Sequence, residues 1–397
     1  MSKQVNIQVS PKFIKRYYNG YPLVLAEALE NKEELTKEGA VFNLIDTQER
    51  VIAKAYYGIQ NKGIGWVLTQ DPNEQIDMAF FKNKLQAALD KRSIFFKSSK
   101  TNAFRVFNGE GDGIGGLIID YFDGYYVLNW YSRGIYQYRD HVINNLKKMV
   151  DFKGIYQKRR YEVGGKFIDE DGFVMGERGE FPLLVKENDV QFAVYLNEGA
   201  MVGVFLDQRD VRKRIRDKYA EGRTVLNTFS YTGAFSVFAA LGGAARTTSV
   251  DVANRSYGKT IEQFSVNGID FDAHDILVED VFNYFKYAQK KNLKYGMVIL
   301  DPPSFARTDK FKFAAEQDYK DLLKDAISIT EEQGIIVAST NCSAFDMKKF
   351  MIFIDEAFKE SGCSYKVLES HALPRDFVTS KQFKEGNYLK VVFIEKI

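Results

Sequence analysis

From about residue 190 onward, short apolar runs alternate with longer segments in which apolar residues recur at helical spacing. The runs have the length of strands, and the longer segments have the period of helices that bury one face. The predicted strands are 225–227, 247–250, 276–278, 297–300, 334–339, 365–368 and 388–394, and the predicted helices are 233–241, 253–267, 281–289, 315–330 and 347–361. This regular alternation predicts a doubly wound α/β domain over residues 191–397.

The chain before residue 190 shows a different pattern, in which predicted strands follow one another with fewer helices between them. Residues 1–74 predict a small β-rich, barrel-like domain, because short apolar runs are separated by polar turns. Residues 75–100 predict a connecting helix followed by a basic stretch with aromatic residues. Residues 101–190 predict a small α+β domain. A division into several domains agrees with the length of 397 residues, since domains usually hold ~100–200 residues.

The stretch EGDGIGG contains a formal GxGxxG pattern at Gly111, Gly113 and Gly116. A dinucleotide-binding loop of this kind must open a helix. Here the β-branched run Leu117–Phe122 follows directly, so the glycines predict a turn between two strands instead.

Asp301 ends the most apolar predicted strand, 297–300, and Pro302 and Pro303 follow it at once. Because proline cannot donate to a β-ladder, the strand must stop at Asp301. Ligands of open parallel sheets bind at the carboxyl ends of the strands. Asp301 is therefore a candidate site residue, although an isolated acid before two prolines is also compatible with a simple capped turn.

Polar residues also follow the neighbouring predicted strands. In the loop 227–233, Gly233 would let a ligand approach the amino end of the next helix. Asp251 could accept both hydroxyls of a ribose, as acids at this position do. The pair Glu279-Asp280 follows the next strand, and a side chain there could take an adenine amino group. Each acid alone is more often a cap or a solvated side chain, but together they outline an adenosine-shaped pocket.

Composition narrows the chemistry further. The chain has 55 basic and 53 acidic residues, a net charge of +2, so any nucleic-acid surface must be local. The run Lys158-Arg159-Arg160 is a candidate phosphate contact, with a solvated turn as the alternative. Two cysteines and three histidines argue against disulfides and against a metal site. No signal peptide or long apolar run is evident, so we expect a soluble, cytoplasmic protein without a membrane partner.

Several motifs carry a resemblance to a known family. VLNTFSYTGAFSV, the acid at Asp251, ILDPPSF and the run 339–343 (STNCS) resemble the motifs of class I S-adenosylmethionine-dependent RNA methyltransferases with a Rossmann-like catalytic domain. More narrowly, the whole chain resembles bacterial 23S rRNA base methyltransferases that carry an N-terminal PUA-like domain. PKFIKRYYNGYPLV is similar to that PUA-like module, and GVFLDQRDVR is similar to the stretch that leads into the family's catalytic domain.

The resemblance implies S-adenosyl-L-methionine as cofactor and RNA, as 23S rRNA or a large-subunit precursor, as partner, with a homodimer left open. Asp301, with the backbone of Pro302 and Pro303, would orient the target base, which must leave its helix, and Phe305 could stack on it. The implied cofactor contacts are Phe205, Gln208, Phe229, Ser230, Tyr231, Gly233, Asp251, Asp280 and Asp301.

The methylated atom depends on the role of Cys342. Cytosine C5 is a poor nucleophile and needs a thiolate added at C6, and cytosine-C5 enzymes of the family have a cysteine at this position. Guanine N7 needs only positioning, and the segment Leu373–Phe377 resembles the guanine-N7 relatives more closely, with Asp376 as a candidate base contact. The sequence favours guanine N7 and keeps cytosine C5 with a Cys342 nucleophile as the alternative.

Two other classes of protein compete with this interpretation. A nicotinamide-dependent dehydrogenase would need a glycine-rich turn at 228–233, which the sequence lacks, and would leave DPPSF unexplained. A non-catalytic RNA-binding protein would have no reason to keep the acids at 251, 280 and 301 at one sheet edge. Cofactor binding separates these classes of protein. A methyltransferase should bind S-adenosylmethionine and not NAD, whereas an RNA-binding module should bind neither of the two.

Overall fold

A computed structural model describes residues 5–167, 171–199, 201–307 and 312–397. The chain divides into two compact units. The first comprises the described residues of Met1–Val185, Val194–Val202 and Arg375–Gly386, and the second those of Lys186–Ala193, Gly203–Pro374 and Asn387–Ile397. The bounds of these units differ from the four ranges expected from the sequence, 1–74, 75–100, 101–190 and 191–397. The division into four functional domains stays a prediction. Among the described helices, none combines the length and the apolarity that crossing a membrane requires.

The first unit contains two five-stranded sheets. Its strands are β1 (Val5–Gln8), β2 (Leu23–Val24), β3 (Val41–Ile45), β4 (Val51–Gln60), β5 (Gly63–Thr69), β6 (Ala103–Asn108), β7 (Leu117–Phe122), β8 (Tyr125–Trp130), β9 (Gly154–Arg159), β10 (Glu162–Val163), β11 (Lys166–Phe167) and β12 (Phe173–Gly176). Its helices are α1 (Pro11–Tyr18), α2 (Met78–Lys91), α3 (Ser93–Phe96), α4 (Arg133–Tyr136) and α5 (Arg139–Met149).

One hydrophobic core serves both sheets of the first unit. The sheet β1-β3-β4-β5-β2 and the sheet β12-β9-β8-β7-β6 contribute to the same buried cluster, which includes Phe42, Phe81, Phe104 and Trp130. Strands β6 and β7 pair antiparallel, and Gly109–Asp112 form a single 3₁₀ turn between them. The prediction that the GxGxxG pattern forms a hairpin turn and not a dinucleotide loop is therefore confirmed.

A buried ion pair holds residues 375–386 in the first unit. The guanidinium of Arg92 donates to both carboxylate oxygens of Asp112, at 2.8 and 2.7 Å, and to the carbonyl oxygen of Asp376 at 2.6 Å. Gly111 lies so close to this segment that a Cβ atom would come within 1.8 Å of the Val378 carbonyl oxygen. The absence of a side chain at Gly111 therefore lets the EGDGIGG turn pack directly against the backbone at Val378.

The second unit is built on a seven-stranded sheet. It is preceded by residues 186–193 of a short hairpin, whose strands are β13 (Leu183–Glu187) and β14 (Val190–Val194). The remaining strands are β15 (Thr224–Thr228), β16 (Arg246–Asp251), β17 (Asp275–Val278), β18 (Tyr295–Leu300), β19 (Phe305–Arg307), β20 (Lys312–Ala314), β21 (Thr330–Thr340), β22 (Tyr365–His371) and β23 (Lys390–Lys396). The helices are α6 (Arg209–Arg214), α7 (Ala234–Leu241), α8 (Asn254–Ser265), α9 (Val281–Lys290), α10 (Ala315–Ile329) and α11 (Met347–Glu360).

The sheet order is β17-β16-β15-β18-β21-β23-β22. The first five strands in this order are parallel to one another, and β23 is antiparallel to both of its neighbours. Alternate residues of β18 enter opposite cores: Met297 and Ile299 pack with α6 and α7, whereas Val298 and Leu300 pack with α9, α10 and α11. Burial on both faces explains why this strand reads as an uninterrupted apolar run. The predicted doubly wound α/β architecture is confirmed.

The Arg92–Asp112 pair generates a stability prediction. Replacing Arg92 by Met should lower the free energy of unfolding by about 3 kcal/mol, because a buried carboxylate that loses its partner is strongly destabilising. Lys91, 3.1 Å from Asp112, keeps the loss from being larger. Urea denaturation measures the effect. Arg246→Met is the matched control, because its bidentate pair with Asp275 is exposed and should be worth about 0–1 kcal/mol. Equal losses in both variants would contradict the assignment.

Candidate active site

Asp301 lies where the buried strand β18 gives way to Pro302 and Pro303. Its Oδ1 accepts a hydrogen bond from Gln208 Nε2 at 3.0 Å and another from the Ser339 hydroxyl at 2.8 Å. Gln208 Nε2 also donates to Ser339 Oγ at 2.8 Å, so the three side chains form a closed triangle. Among the described residues no hydrogen bond to Oδ2 is present, which leaves that oxygen for a ligand.

Burial raises the pKa of Asp301 to about 6. The hydrogen bond from Ser339 and the nearby charge of Arg212 oppose this shift, while the negative charge of Asp207 adds to it. A carboxyl group with a pKa near neutrality can exchange a proton under physiological conditions. Asp301 is therefore suited to hold either a proton or a charge beside a bound ligand.

A buried ion pair fixes the turn that carries Gln208. Arg212 donates to both oxygens of Glu187, at 2.8 and 2.7 Å, and also to the carbonyl oxygen of Phe205 at 2.7 Å. Arg212 lies in the GVFLDQRDVR segment, and the sequence pattern does not reveal its partner. That partner is Glu187, the charged last residue of β13. Its pairing with Arg212 could not be predicted, because the two residues meet only in the folded chain.

The loop after β15 has an unusual backbone. Phe229 and Tyr231 have φ values of +53° and +52°, which residues other than glycine rarely adopt. The Asp251 carboxylate stabilises this conformation, because Oδ2 accepts from the Tyr231 amide and Oδ1 from the Ala253 amide, both at 2.9 Å. Gly233 has φ +75°, and a Cβ there would come within 2.5 Å of Thr260 Cγ2. Glycine is thus required for close packing on α8 as well as for backbone freedom.

The other predicted cofactor contacts lie around the same sheet edge. Asp280 caps α9, because its Oδ1 accepts from the amides of Phe282 and Asn283 at 3.0 and 3.1 Å. The backbone amide of Glu279 donates to the Asp251 carbonyl at 3.0 Å and so ties the two acidic strand ends together. The Phe205 and Tyr231 rings lie 5.2 Å apart, and Ser230 is buried.

Cys342 follows β21, the neighbour of β18, and its side chain is 7 % exposed. The Ser304 hydroxyl donates to Asn341 Oδ1 at 2.6 Å, which links the DPPSF loop directly to the cysteine loop. Phe305 is 56 % exposed, as expected for a residue that could stack on a ligand. Asp301, Ser304 and Cys342 therefore belong to one edge of one sheet.

The four remaining predicted contacts lie in the first unit. Lys158 is buried and its ammonium donates to the carbonyl oxygens of Glu198 and Gly199, at 3.0 and 2.6 Å. The Arg159 guanidinium lies 5.6 Å from the Tyr136 ring, and Arg160 Nε donates to Asn129 Oδ1 at 3.1 Å. Asp376 is fully buried and its Oδ2 accepts from the Arg105 amide at 2.9 Å. These contacts favour structural roles for Lys158 and Asp376.

The raised pKa of Asp301 predicts a pH dependence of stability. Above pH 6 the folded chain must hold a partly desolvated charge that the unfolded chain carries in water, so the carboxyl group destabilises the fold at high pH and ceases to do so as it is protonated. Asp301→Asn should therefore be about 2–3 kcal/mol more stable than wild type at pH 8, with the difference vanishing toward pH 4. Urea unfolding at several pH values measures this.

The control is Asp275→Asn, because Arg246 lowers the pKa of Asp275 and the sign of the effect reverses. An Asp301→Asn protein that is no more stable than wild type at pH 8 would contradict the burial argument.

The site can now be compared with known proteins. The sequence model of a family described as S-adenosylmethionine-dependent methyltransferase matches residues 171–382, more than half of the chain, and that of a PUA-like domain matches residues 7–70. The chain is 58 % identical to "Putative ribosomal RNA large subunit methyltransferase YwbD" of Bacillus subtilis, over 95 % of this chain and 96 % of that one. It is 29 % identical to ribosomal RNA large subunit methyltransferase I of Yersinia pseudotuberculosis, over 93 % and 94 % of the two chains.

Solved structures agree with these matches. A crystal structure of SMU.776 complexed with SAH superposes with a TM-score of 0.89 at 36 % identity, covering 99 % of this chain and all of that one. A SAM-dependent methyltransferase structure from Streptococcus mutans gives the same TM-score at 34 % identity, with the same coverage. The motifs, the doubly wound sheet and the strand-end carboxylates thus have one explanation: the chain belongs to the family of S-adenosylmethionine-dependent methyltransferases and carries an N-terminal PUA-like domain.

Proposed function

We propose that this enzyme methylates a base of large-subunit ribosomal RNA and that the base is cytosine, modified at C5. The relatives named as large-subunit rRNA methyltransferases support the RNA substrate. The observation that carries the choice of base is the position of Cys342, one strand away from Asp301 and joined to the DPPSF loop by the Ser304–Asn341 hydrogen bond. Asp376, which favoured guanine N7, is buried and bonded to backbone instead.

The residues at the sheet edge fit S-adenosylmethionine. Each Asp251 oxygen already accepts one amide hydrogen, and a carboxylate oxygen has a second lone pair, so both can also accept a ribose hydroxyl. Asp280 uses one oxygen for its cap, which leaves the other for the adenine amino group. As the family resemblance implies, Phe229, Ser230, Tyr231 and Gly233 would contact the methionine moiety, and Phe205 and Gln208 would help to cover the cofactor. When bound, S-adenosylmethionine supplies an electrophilic methyl group.

The protein's own residues would prepare the base. The flipped cytosine enters the edge beside Asp301, where Oδ2 and the backbone carbonyls of Pro302 and Pro303 orient it and Phe305 stacks on it. The Cys342 thiolate adds to C6, which places electron density on C5 and makes that carbon nucleophilic. Once C5 carries the methyl group, the C5 proton passes to water and the electron pair of the C5–H bond re-forms the C5–C6 double bond. The C6–S bond breaks at the same time, which restores the aromatic ring and frees the Cys342 thiolate.

Guanine N7 stays the alternative, and the low exposure of Cys342 favours it, because a buried free cysteine is often only a packing residue. In that case Asp301 and the proline carbonyls would position a base that is already nucleophilic. The cytoplasmic location expected from the sequence stays a prediction.

Asp251 provides a test of the cofactor site. Asp251→Ala should weaken S-adenosylmethionine binding by about tenfold to a hundredfold, because ribose hydroxyls and two loop amides lose their acceptor. Asp251→Asn, which keeps one acceptor oxygen, should be intermediate. Isothermal titration calorimetry measures the dissociation constants, with Asp275→Ala as the control at the start of the adjacent strand. An affinity unchanged in Asp251→Ala would remove this residue from the site.

Cys342 decides the methylated atom. Wild type and Cys342→Ala are compared for transfer of labelled methyl groups to 23S rRNA, followed by nucleoside analysis. We expect 5-methylcytidine from wild type and a loss of at least about a thousandfold in the variant, because removing a covalent nucleophile closes the pathway. Calorimetry with S-adenosylmethionine shows that the variant is folded. Retained activity with 7-methylguanosine as product would establish the alternative, and no transfer by wild type would favour a non-catalytic RNA-binding role.

A further inference from the structure

Lys390 is the first residue of β23 and lies opposite Thr340, the last residue of β21. Its side chain is 4 % exposed. The ammonium donates to the carbonyl oxygen of Cys342 at 2.8 Å and to that of Tyr388 at 2.6 Å. On the other side of the same residue, the Cys342 amide donates to Thr340 Oγ1 at 3.2 Å. Both the amide and the carbonyl of Cys342 are therefore hydrogen-bonded, and the partner of the carbonyl is the buried ammonium of Lys390.

A buried ammonium is unfavourable unless an opposite charge accompanies it. Among the described residues no carboxylate lies within ion-pair distance of Lys390. The Phe345 ring, 5.1 Å from Nζ, provides a cation–π contact. Burial lowers the pKa of Lys390, and the charges that counteract the shift are those of Cys342 and Asp346. The charge of Asp346 acts from a solvent-exposed helix cap, where water screens it.

Lys396, at the other end of β23, shows that this sheet can compensate a buried lysine. Its side chain is 8 % exposed and Nζ donates to the Thr330 carbonyl at 3.0 Å, but it also pairs with Glu332 at 2.9 Å. Two lysines on one strand thus share burial and backbone acceptors and differ in the charge that faces them. At Lys390, a Cys342 thiolate would supply a compensating negative charge and so favour the charged ammonium.

We propose that Lys390 is a positioning residue for Cys342, which fixes the peptide group of the cysteine through its carbonyl and favours the thiolate by its positive charge. The inference rests on the proposed cytosine-C5 reaction, in which the thiolate must form before it can add to C6. A cation near a thiol has this effect because it stabilises the negative form.

The test measures formation of the thiolate–C6 bond itself. RNA transcribed with 5-fluorocytidine in place of cytidine is incubated with the enzyme and S-adenosylmethionine, and the covalent complex is quantified on denaturing gels between pH 6 and 9. Fluorine at C5 cannot leave as a proton does, so the adduct persists. Lys390→Met should form the adduct about tenfold more slowly at pH 7, and the midpoint of its pH profile should move upward. Lys396→Met is the matched control and should keep the wild-type midpoint.

Lys390→Gln is measured alongside, because it keeps a donor for one carbonyl without the charge and remains informative if the Met variant does not fold. It should show the same upward shift of the midpoint. Midpoints that equal those of wild type and Lys396→Met in both Lys390 variants would overturn the proposal. A wild-type enzyme that forms no adduct would instead refute the cytosine-C5 reaction, and the role of Lys390 with it.

Discussion

The site depends on keeping a carboxylate at the end of a strand that is buried on both faces. Asp301 is partly buried there, and the loss of solvation raises its pKa to about 6, which shows that the cost is not fully compensated. The hydrogen bonds from Gln208 and Ser339 hold the group in place without neutralising it. Further contacts hold these two donors in place. Arg212 and Glu187 fix the turn that carries Gln208, and the Tyr319 hydroxyl donates to the carbonyl of Ser339.

Two buried ion pairs differ from two charged groups of the site, the partly buried Asp301 and the buried Lys390. Arg92 with Asp112 and Arg212 with Glu187 are bidentate pairs that satisfy one another, and both connect segments distant in the chain. Asp301 and Lys390 have no such partner among the residues described. Removing one member of a buried ion pair is strongly destabilising, because the other charge is left without a partner. A desolvated charge that has no partner lowers the stability of the native protein itself. Perturbed ionisation of this kind is typical of functional sites.

Backbone strain at the site follows the same logic. Phe229 and Tyr231 adopt left-handed conformations that ordinarily cost of order 1–3 kcal/mol each. Asp251 offsets part of that cost by accepting a hydrogen bond from the Tyr231 amide, while it also offers lone pairs to a ribose. One carboxylate thus stabilises the loop and completes the site, so the substitution of Asp251 is expected to affect both.

The sequence by itself determined the doubly wound domain, the hairpin at EGDGIGG and the placement of Asp251, Asp280 and Asp301 at strand ends. These features depend on local periodicity and on what proline and glycine allow, and such information is contiguous in the chain. Only the tertiary structure decided that Asp376 is buried in the first unit, that Glu187 pairs with Arg212, and that Lys390 holds Cys342. Each of these contacts joins residues whose proximity is set by sheet order and packing, and no local pattern encodes which of many charged side chains will meet.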